Sequence, residues 1–197
     1  MLNLIDTSDP STLPFNQHAL HVYSSDDPDK APTKYLNEAL NSRQLTVYVP
    51  VDTDNATDNN TERVFKMASG ITNYEDHVNH GNLLTLDIRS FYNSVLAGNV
   101  QPFEELKILL EEAIKERIAS GKSDEVTFVS GIAGTLATNQ KFDQCINSEM
   151  WWQMTHSEWL QKGLKVTLIC SHPRKIFDEN HFMHYRQAMS SLHNAIV

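Results

Sequence analysis

Small and polar residues that could bind or transform a small ligand follow several apolar, β-prone runs of the sequence. They are Ser24, Ser25 and Asp26; Asp52; Asp87 and Arg89; Gly131; and His172 and Arg174. If the runs form parallel strands, these residues meet at the carboxyl edge of one sheet, where such sheets bind ligands. Arg89 or Arg174 would then pair with an anionic group. We therefore expect a small-ligand site at this edge. The alternative is that these are solvated loop residues and helix caps, and Asp87 in particular could cap the following helix.

The segment between the first apolar run and the next helical pattern occupies the position of a phosphate-binding loop. Such a loop requires GxxxxGK[ST], because glycines let backbone amides surround the phosphates and the lysine reaches the outer ones. Residues 24–34 contain no glycine and include Asp26, Asp27 and Asp29, which would repel phosphate. Lys34 could substitute for the phosphate-loop lysine, although a surface lysine early in a helix is the commoner case. The fourth apolar run also ends without the carboxylate that usually holds magnesium, so the sequence argues against ATP hydrolysis.

Nine histidines raise the question of a metal site. His77 and His80 lie three residues apart, as do His181 and His184, so each pair could share a helix face. Zinc would need further ligands, and the HExxH motif is absent. We therefore interpret the histidines as surface residues and predict no metal site.

Catalytic motifs are equally incomplete. Glu149 is a candidate ligand-binding residue on a predicted long helix, but with Cys170 or His172 it forms no complete catalytic set. GxSxG and an obvious Cys-His-Asp pattern are both missing. The sequence thus predicts no catalytic residue, and it identifies no cofactor.

Composition excludes several classes of partner. The 197 residues carry a formal charge of −9 with a pI near 5.4, so the chain repels phosphate backbones and autonomous nucleic-acid binding is not expected. Two cysteines, Cys145 and Cys170, lie in apolar surroundings and suggest reduced, packed thiols of a cytosolic protein. With no signal peptide and no membrane-length apolar run, we expect a cytoplasmic location and no membrane contact.

Strand and helix patterns alternate along the chain after a polar N-terminal arm at 1–17. The predicted strands are 18–23, 45–51, 83–87, 126–129 and 166–170. The predicted helices are 31–42, 61–68, 74–79, 89–96, 101–120, 141–161 and 181–196, with a small-residue turn at 130–135. The economical arrangement is one α/β domain at 18–197, with a mainly parallel sheet of about five or more strands and helices on both faces.

The long helix carries Trp151, Trp152 and Trp159 on two different faces. Trp151 shares a stripe with Met154, which predicts core packing for it. Trp152 and Trp159 share another stripe, for which an interface with a partner is as plausible as the core.

Several of these segments together resemble a known family. They are the His-x-x-x-Val-Tyr run at 18–23, Leu45-Thr46-Val47-Tyr48-Val49, the Gly-x-Leu-x-x-Leu-Asp run at 81–87, Phe91-Tyr92, a Pro-Phe helix start, the Glu149 helix, Ile169-Cys170 and a terminal helix with His193. The pattern over 18–197 resembles the MEDS domain, the sensory domain of methanogens and methylotrophs found in DcmR-type regulators. That family is similar to the KaiC/RecA ATPase fold but has degenerate nucleotide motifs. The resemblance implies a cytosolic sensory or signalling role, often attached to an output domain.

The leading hypothesis from the sequence is a non-enzymatic sensory domain of RecA/KaiC-like fold without an intact phosphate loop. It would bind a small-molecule ligand or a signalling protein, and a homo-oligomer is plausible by analogy with RecA-like proteins. One alternative is a divergent nucleotide-binding enzyme that uses Lys34, Asp87 or Arg89. Another is a structural module that self-associates.

Overall fold

A six-stranded, all-parallel sheet forms the centre of the part of the chain that is described. The computed structural model describes residues 15–24, 30–50, 69–178 and 183–196. The strands are β1 (His18–Tyr23), β2 (Leu45–Val49), β3 (Leu83–Thr85), β4 (Glu125–Ser130), β5 (Lys165–Pro173) and β6 (Ala195–Ile196). Their order across the sheet is β3-β2-β4-β5-β1-β6, with every pairing parallel. The predicted α/β class with a parallel sheet is confirmed.

Helices connect the strands, as parallel pairing requires. They are α1 (Lys30–Asn41), α2 (Tyr74–Asn79), α3 (Ile88–Leu96), α4 (Gln101–Ala119), α5 (Ile132–Thr138), α6 (Phe142–Gln161), α7 (Arg174–Asp178) and α8 (Met183–Leu192). None of the helices in these described ranges is both long enough and apolar enough to cross a lipid bilayer.

Neighbouring residues of the central strands pack into two separate cores. Phe128 and Leu168 belong to the larger core, whereas Val129 and Ile169 belong to the smaller one. Because successive side chains of a strand point to opposite faces, the two cores lie on the two faces of the sheet. Helices α5 and α6 contribute to the larger core and α1 to the smaller one, which confirms helices on both faces.

The predicted turn at 130–135 is wrong, because residues 132–138 form helix α5. The small residues there permit close packing rather than a turn. A Cβ added to Gly134 would lie 2.2 Å from the backbone oxygen of Ser171 on β5. The helix can lie this near the strand only because Gly134 has no side chain.

The sequence also placed the end of the fifth strand too early. Strand β5 continues to Pro173, and its pairing with β1 extends to Tyr23 opposite Pro173. Ser171 and His172 are therefore buried within the sheet rather than exposed in a loop. The predicted C-terminal helix likewise ends at Leu192, and a short sixth strand follows it beside β1.

The tryptophans of α6 all contribute to core packing, with Trp151 packed against the core as predicted. Trp152 and Trp159 have 1% and 0% of their surface exposed. The Trp152 ring packs 4.6 Å from that of Phe128 in the core. Trp151 is half-buried. An interface role for Trp152 or Trp159 is thus wrong, because neither side chain reaches the surface.

Three sequence predictions fall largely or wholly outside the described residues. They are the arm at 1–17, of which only residues 15–17 are described, a surface loop that the Asp-, Asn- and Thr-rich sequence of 52–60 predicts, and the helix at 61–68.

Replacing Gly134 with alanine should destabilise the protein, although alanine is the better helix former. The added methyl group meets the Ser171 carbonyl at 2.2 Å, so α5 must move away from β5 at a cost of about 1–3 kcal/mol or more. Urea unfolding followed by circular dichroism measures this loss. Thr138→Ala, an exposed position on the same helix, should cost about 1 kcal/mol or less. A Gly134→Ala variant as stable as the parent would contradict the close packing.

Candidate functional site

Five of the described residues of the predicted edge site are exposed, whereas Gly131 and His172 are buried. Ser24, Lys34, Asp87, Arg89 and Arg174 all lie on the surface. Ser25, Asp26 and Asp52, which belong to the same prediction, lie outside the described residues.

Asp87 acts as the helix cap that the sequence analysis gave as its alternative role. Its carboxylate accepts a hydrogen bond from the backbone N–H of Arg89 at the start of α3 and pairs with the Arg89 side chain at 3.2 Å. Partial burial would raise the pKa of Asp87, but the bonds from Arg89 outweigh it and hold the pKa below its usual value. These contacts are sufficient to explain both residues without a ligand.

The carboxyl end of β4 is likewise occupied by structural contacts. Gly131 donates its backbone N–H to the carbonyl of Val49 at 2.7 Å. The Ser130 hydroxyl accepts a bond from the N–H of Ile132 at the start of α5. Gly131 is buried at the junction of β4 and α5. It therefore links the end of β4 to β2 and presents no group to a ligand.

Polar side chains instead converge inside the protein, around the carboxylate of Glu149. His18, Cys170, His172 and His193 surround it, and we call these five residues the Glu149 cluster. Nε2 of His172 lies 3.1 Å from Oε1, whereas Nε2 of His18 and of His193 lie 3.2 and 3.1 Å from Oε2. The side chains of Glu149 and of all three histidines have no exposed surface. Cys170 is 1% exposed.

The sheet topology brings these residues together from distant parts of the sequence. Strands β1 and β5 are neighbours, with Leu20 opposite Cys170 and Val22 opposite His172. Because alternate residues share a face, His18, Cys170 and His172 all lie on the side facing α6, which carries Glu149. His193 follows α8 and reaches the cluster because β6 pairs with β1.

Hydrogen bonds at the first residue of β1 hold this last segment in place. The backbone N–H of His18 donates to Oδ1 of Asn194 at 2.8 Å. In return, the N–H of Asn194 donates to the carbonyl of His18 at 2.9 Å. His193 is therefore fixed beside His18, with their ring centroids 4.2 Å apart.

The surroundings keep Glu149 ionised despite complete burial. Burial alone would raise its pKa, but the electrostatic attraction of His193 and the hydrogen bonds from His172 and His18 outweigh it. The pKa of Glu149 is therefore held well below its usual range. A buried negative charge of this kind requires positive charge or several donors around it.

Tyr185 and His172 form a chain that supports one oxygen of the carboxylate. Burial raises the pKa of Tyr185 well above its usual value, so its hydroxyl stays protonated and can donate to Nδ1 of His172 at 2.6 Å. Nε2 of His172 then carries the proton and donates to Oε1 of Glu149. Burial also lowers the pKa of His172, although its bond to Glu149 acts in the opposite direction. His172 is therefore a neutral donor with both ring nitrogens satisfied.

His18 and His193 have their Nδ1 atoms committed elsewhere. Nδ1 of His193 donates to the carbonyl of Met189 at 2.7 Å, and Nδ1 of His18 lies 2.8 Å from Oε1 of Gln153. Both rings therefore direct Nε2 toward the same carboxylate oxygen. Nε2 of His18 is also 3.4 Å from Sγ of Cys170. Burial raises the pKa of the Cys170 thiol well above its usual value, and the nearby Glu149 charge raises it further.

Sequence reasoning identified two members of this cluster and missed the rest. Glu149 and His172 were candidate ligand-binding residues, and the structure brings them together. His18 and His193 were quoted only in the family resemblance, and Cys170 was interpreted as a packed thiol rather than a site residue. The interpretation of the histidines as surface residues is wrong for five of them: His18, His21, His156, His172 and His193 are all buried. No local spacing signals the cluster, because its members lie on four separate segments.

A cavity of about 280 Å³ lies against another side of α6. Its wall includes the apolar side chains of Val95, Phe103 and Trp151, and the polar groups of Asn147 and Ser148. The hydroxyl of Ser148 is buried and makes no hydrogen bond to the described part of the chain. An apolar cavity with a few polar groups is the usual form of a small-molecule site.

Comparisons with known proteins identify no family for this chain. No family model and no curated protein matches the sequence. Among solved structures, flagellar accessory protein FlaH from Methanocaldococcus jannaschii is similar over 91% of this chain and 70% of its own, with 14% identity and a TM-score of 0.42. The similarity carries no information on what this chain binds.

Acidification should destabilise the protein through His21, which is 4% exposed. Its side chain lies on the face of β1 opposite to that of His18. Burial, with a smaller contribution from His172, lowers its pKa from 6.5 to about 4. Between these values the unfolded chain takes up a proton that the folded chain excludes. The free energy of unfolding should therefore fall as pH drops from 6.5 to about 4, by up to about 3 kcal/mol from this residue.

Urea unfolding across this pH range measures the effect. His21→Asn should reduce the pH dependence without abolishing it, since burial also lowers the pKa of His156 and His172. His80→Asn, at an exposed position, serves as the matched control and should leave the dependence unchanged. An identical pH profile for His21→Asn and the parent would show that His21 does not resist protonation in the folded state.

Proposed function

We propose that this chain is a non-enzymatic sensory or signalling domain that binds a small ligand in the cavity beside α6. The observation that carries the proposal is a cavity walled by Val95, Phe103 and Trp151, with Ser148 among its lining residues. The buried Ser148 hydroxyl makes no hydrogen bond to the described part of the chain. A ligand with a hydrogen-bonding group would satisfy this hydroxyl and bury its apolar part against the three side chains.

The cavity restricts the chemical class of the ligand. Its volume of about 280 Å³ is near the lower end of the range for small-molecule sites. Asn147, Ser148 and Asn99 supply polar atoms at the wall, and among the described residues no lysine or arginine lines it. These features favour a small, uncharged and mostly apolar molecule with one or two hydrogen-bonding groups.

Two features of the chain disfavour nucleotide chemistry. Residues 24–34 include three aspartates and lack glycine. In a nucleotide-binding protein, the backbone amides of this segment would have to surround the triphosphate. The described edge residues Asp87 and Arg89 pair with each other. A sensory domain built on a degenerate RecA/KaiC-like fold is consistent with both features, and it is the role that the MEDS resemblance implies.

A sensory role also needs a route from the ligand to other parts of the protein. Ser148 and Glu149 are consecutive residues of α6, so the cavity and the Glu149 cluster share one helix. The cluster joins that helix to β1, to β5 and to His193 beside β6. A ligand that shifts α6 would therefore alter contacts to the C-terminal segment of the described chain.

Binding of benzyl alcohol and 1-hexanol tests the proposal, because each combines an apolar body with one hydroxyl. Both probes should raise the melting temperature and change Trp151 fluorescence saturably. Ser148→Ala removes the hydroxyl and should weaken binding by about 2- to 10-fold, the equivalent of one hydrogen bond. Ser157→Ala, on the same helix but bonded to the Gln153 carbonyl, should bind both probes like the parent.

Two results would contradict the proposal. One is the absence of saturable binding for both probes, or equal binding by Ser148→Ala and the parent. The other is tight ATP binding with turnover that Lys34→Ala abolishes, which would support the alternative of a divergent nucleotide-binding enzyme.

A further inference from the structure

Four metal-binding side chains present their donor atoms to one point inside the Glu149 cluster. Nε2 of His18, Oε2 of Glu149, Sγ of Cys170 and Nε2 of His193 all lie within 4.8 Å of one another. All four residues are buried. We infer that a divalent transition-metal cation of the zinc class binds among these four atoms. The inference is independent of the proposed ligand cavity.

The spacing of the donors agrees with a tetrahedral site. With metal–nitrogen and metal–oxygen distances of about 2.0–2.2 Å and metal–sulfur of about 2.3 Å, tetrahedral ligands are separated by roughly 3.3–3.6 Å. The distances between His18 and Glu149, His193 and Glu149, and His18 and Cys170 are 3.2, 3.1 and 3.4 Å. Widening these three contacts by a few tenths of an ångström, and bringing the remaining donor pairs closer from within 4.8 Å, would complete the geometry.

The directions of the imidazole nitrogens support coordination over simple hydrogen bonding. Nδ1 of each ring is engaged, by Met189 for His193 and by Gln153 for His18. Nε2 of each ring therefore faces the other donor atoms of the cluster, which is the arrangement of metal-bound histidines. Nε2 of His193 lies 3.1 Å from Oε2 of Glu149 yet makes no hydrogen bond. A lone pair directed at a shared cation, rather than at the carboxylate, has this misalignment.

Charge balance and donor type narrow the identity of the cation. The Glu149 carboxylate and a Cys170 thiolate contribute two negative charges, which neutralise one divalent cation and leave no net buried charge. On binding, the Cys170 S–H bond breaks and its proton leaves to solvent, as does any proton on Nε2 of His18 or His193, so that the sulfur and nitrogen electron pairs coordinate the metal. Two nitrogens, one sulfur and one oxygen suit zinc and exclude magnesium and calcium, which prefer oxygen ligands alone.

The site would be structural rather than catalytic. All four positions are filled by protein atoms, and catalytic zinc keeps one position open. His172 holds the other oxygen of Glu149 and so orients the carboxylate without being a ligand itself. Complete burial implies that the metal enters during folding, and it would then join β1, β5, α6 and the segment before β6.

Metal analysis of the full chain, purified without a metal-affinity tag, tests the inference. We expect about one zinc per chain by mass spectrometry of the native protein, or after refolding with zinc. Refolding with Co²⁺ should give the visible bands of tetrahedral cobalt and a near-ultraviolet sulfur-to-cobalt band. Cys170→Ser should lose the sulfur band, whereas Cys145→Ser, at the other buried thiol, should keep it.

A further variant separates coordination from folding. His172→Asn should lower metal affinity by about 10- to 100-fold while the cobalt spectrum stays tetrahedral, since this residue only orients Glu149. If Cys170→Ser does not fold, the cobalt spectrum of Cys145→Ser gives the same information, because Cys170 is then the one remaining thiol. Substoichiometric metal under every refolding condition, or a sulfur–cobalt band that Cys145→Ser removes, would overturn the inference.

Discussion

The ionised carboxylate of Glu149 is the constraint on which the rest of this structure depends. With no exposed surface, it loses all hydration and must be compensated by groups within the protein. Those groups come from the two neighbouring central strands and from the segment after α8. Any conformation that separates β1, β5, α6 or His193 leaves a buried charge without its partners. The cluster therefore favours one arrangement of these strands and helices. Hydrophobic packing alone would distinguish this arrangement less sharply from others.

Much of the architecture could be predicted from the sequence because it depends on local patterns. Continuous apolar, β-branched runs such as 45–49 indicate strands that are buried on both faces. The spacing of Phe103, Leu106 and Leu110 indicates an amphipathic helix. The failures have physical causes as well. Gly134 resembles a turn residue but provides close contact with β5. The Ser171-His172-Pro173 segment has loop-forming residues, yet pairing with β1 continues through it.

The candidate site could not be predicted in the same way, because it depends on contacts between distant segments. His18 and Glu149 are 131 residues apart, and His18 and Cys170 are 152 apart. Only the strand order, with β1 between β5 and β6, places them together. The sequence predicted a site at the carboxyl ends of the strands, where parallel sheets usually bind ligands. In this protein the polar chemistry of the described residues lies instead in the interior, against the helix that also walls the cavity.

The unfolding free energy of Glu149→Gln at neutral pH tests the central claim most directly. Glutamine keeps the size of the side chain but removes the charge around which the three histidines are arranged. If the cluster holds the elements together, the variant should lose about 3–5 kcal/mol relative to the parent, as expected when one partner of a buried charged group is removed. A loss below about 1 kcal/mol, with the fold intact, would show that Glu149 is not the constraint described above.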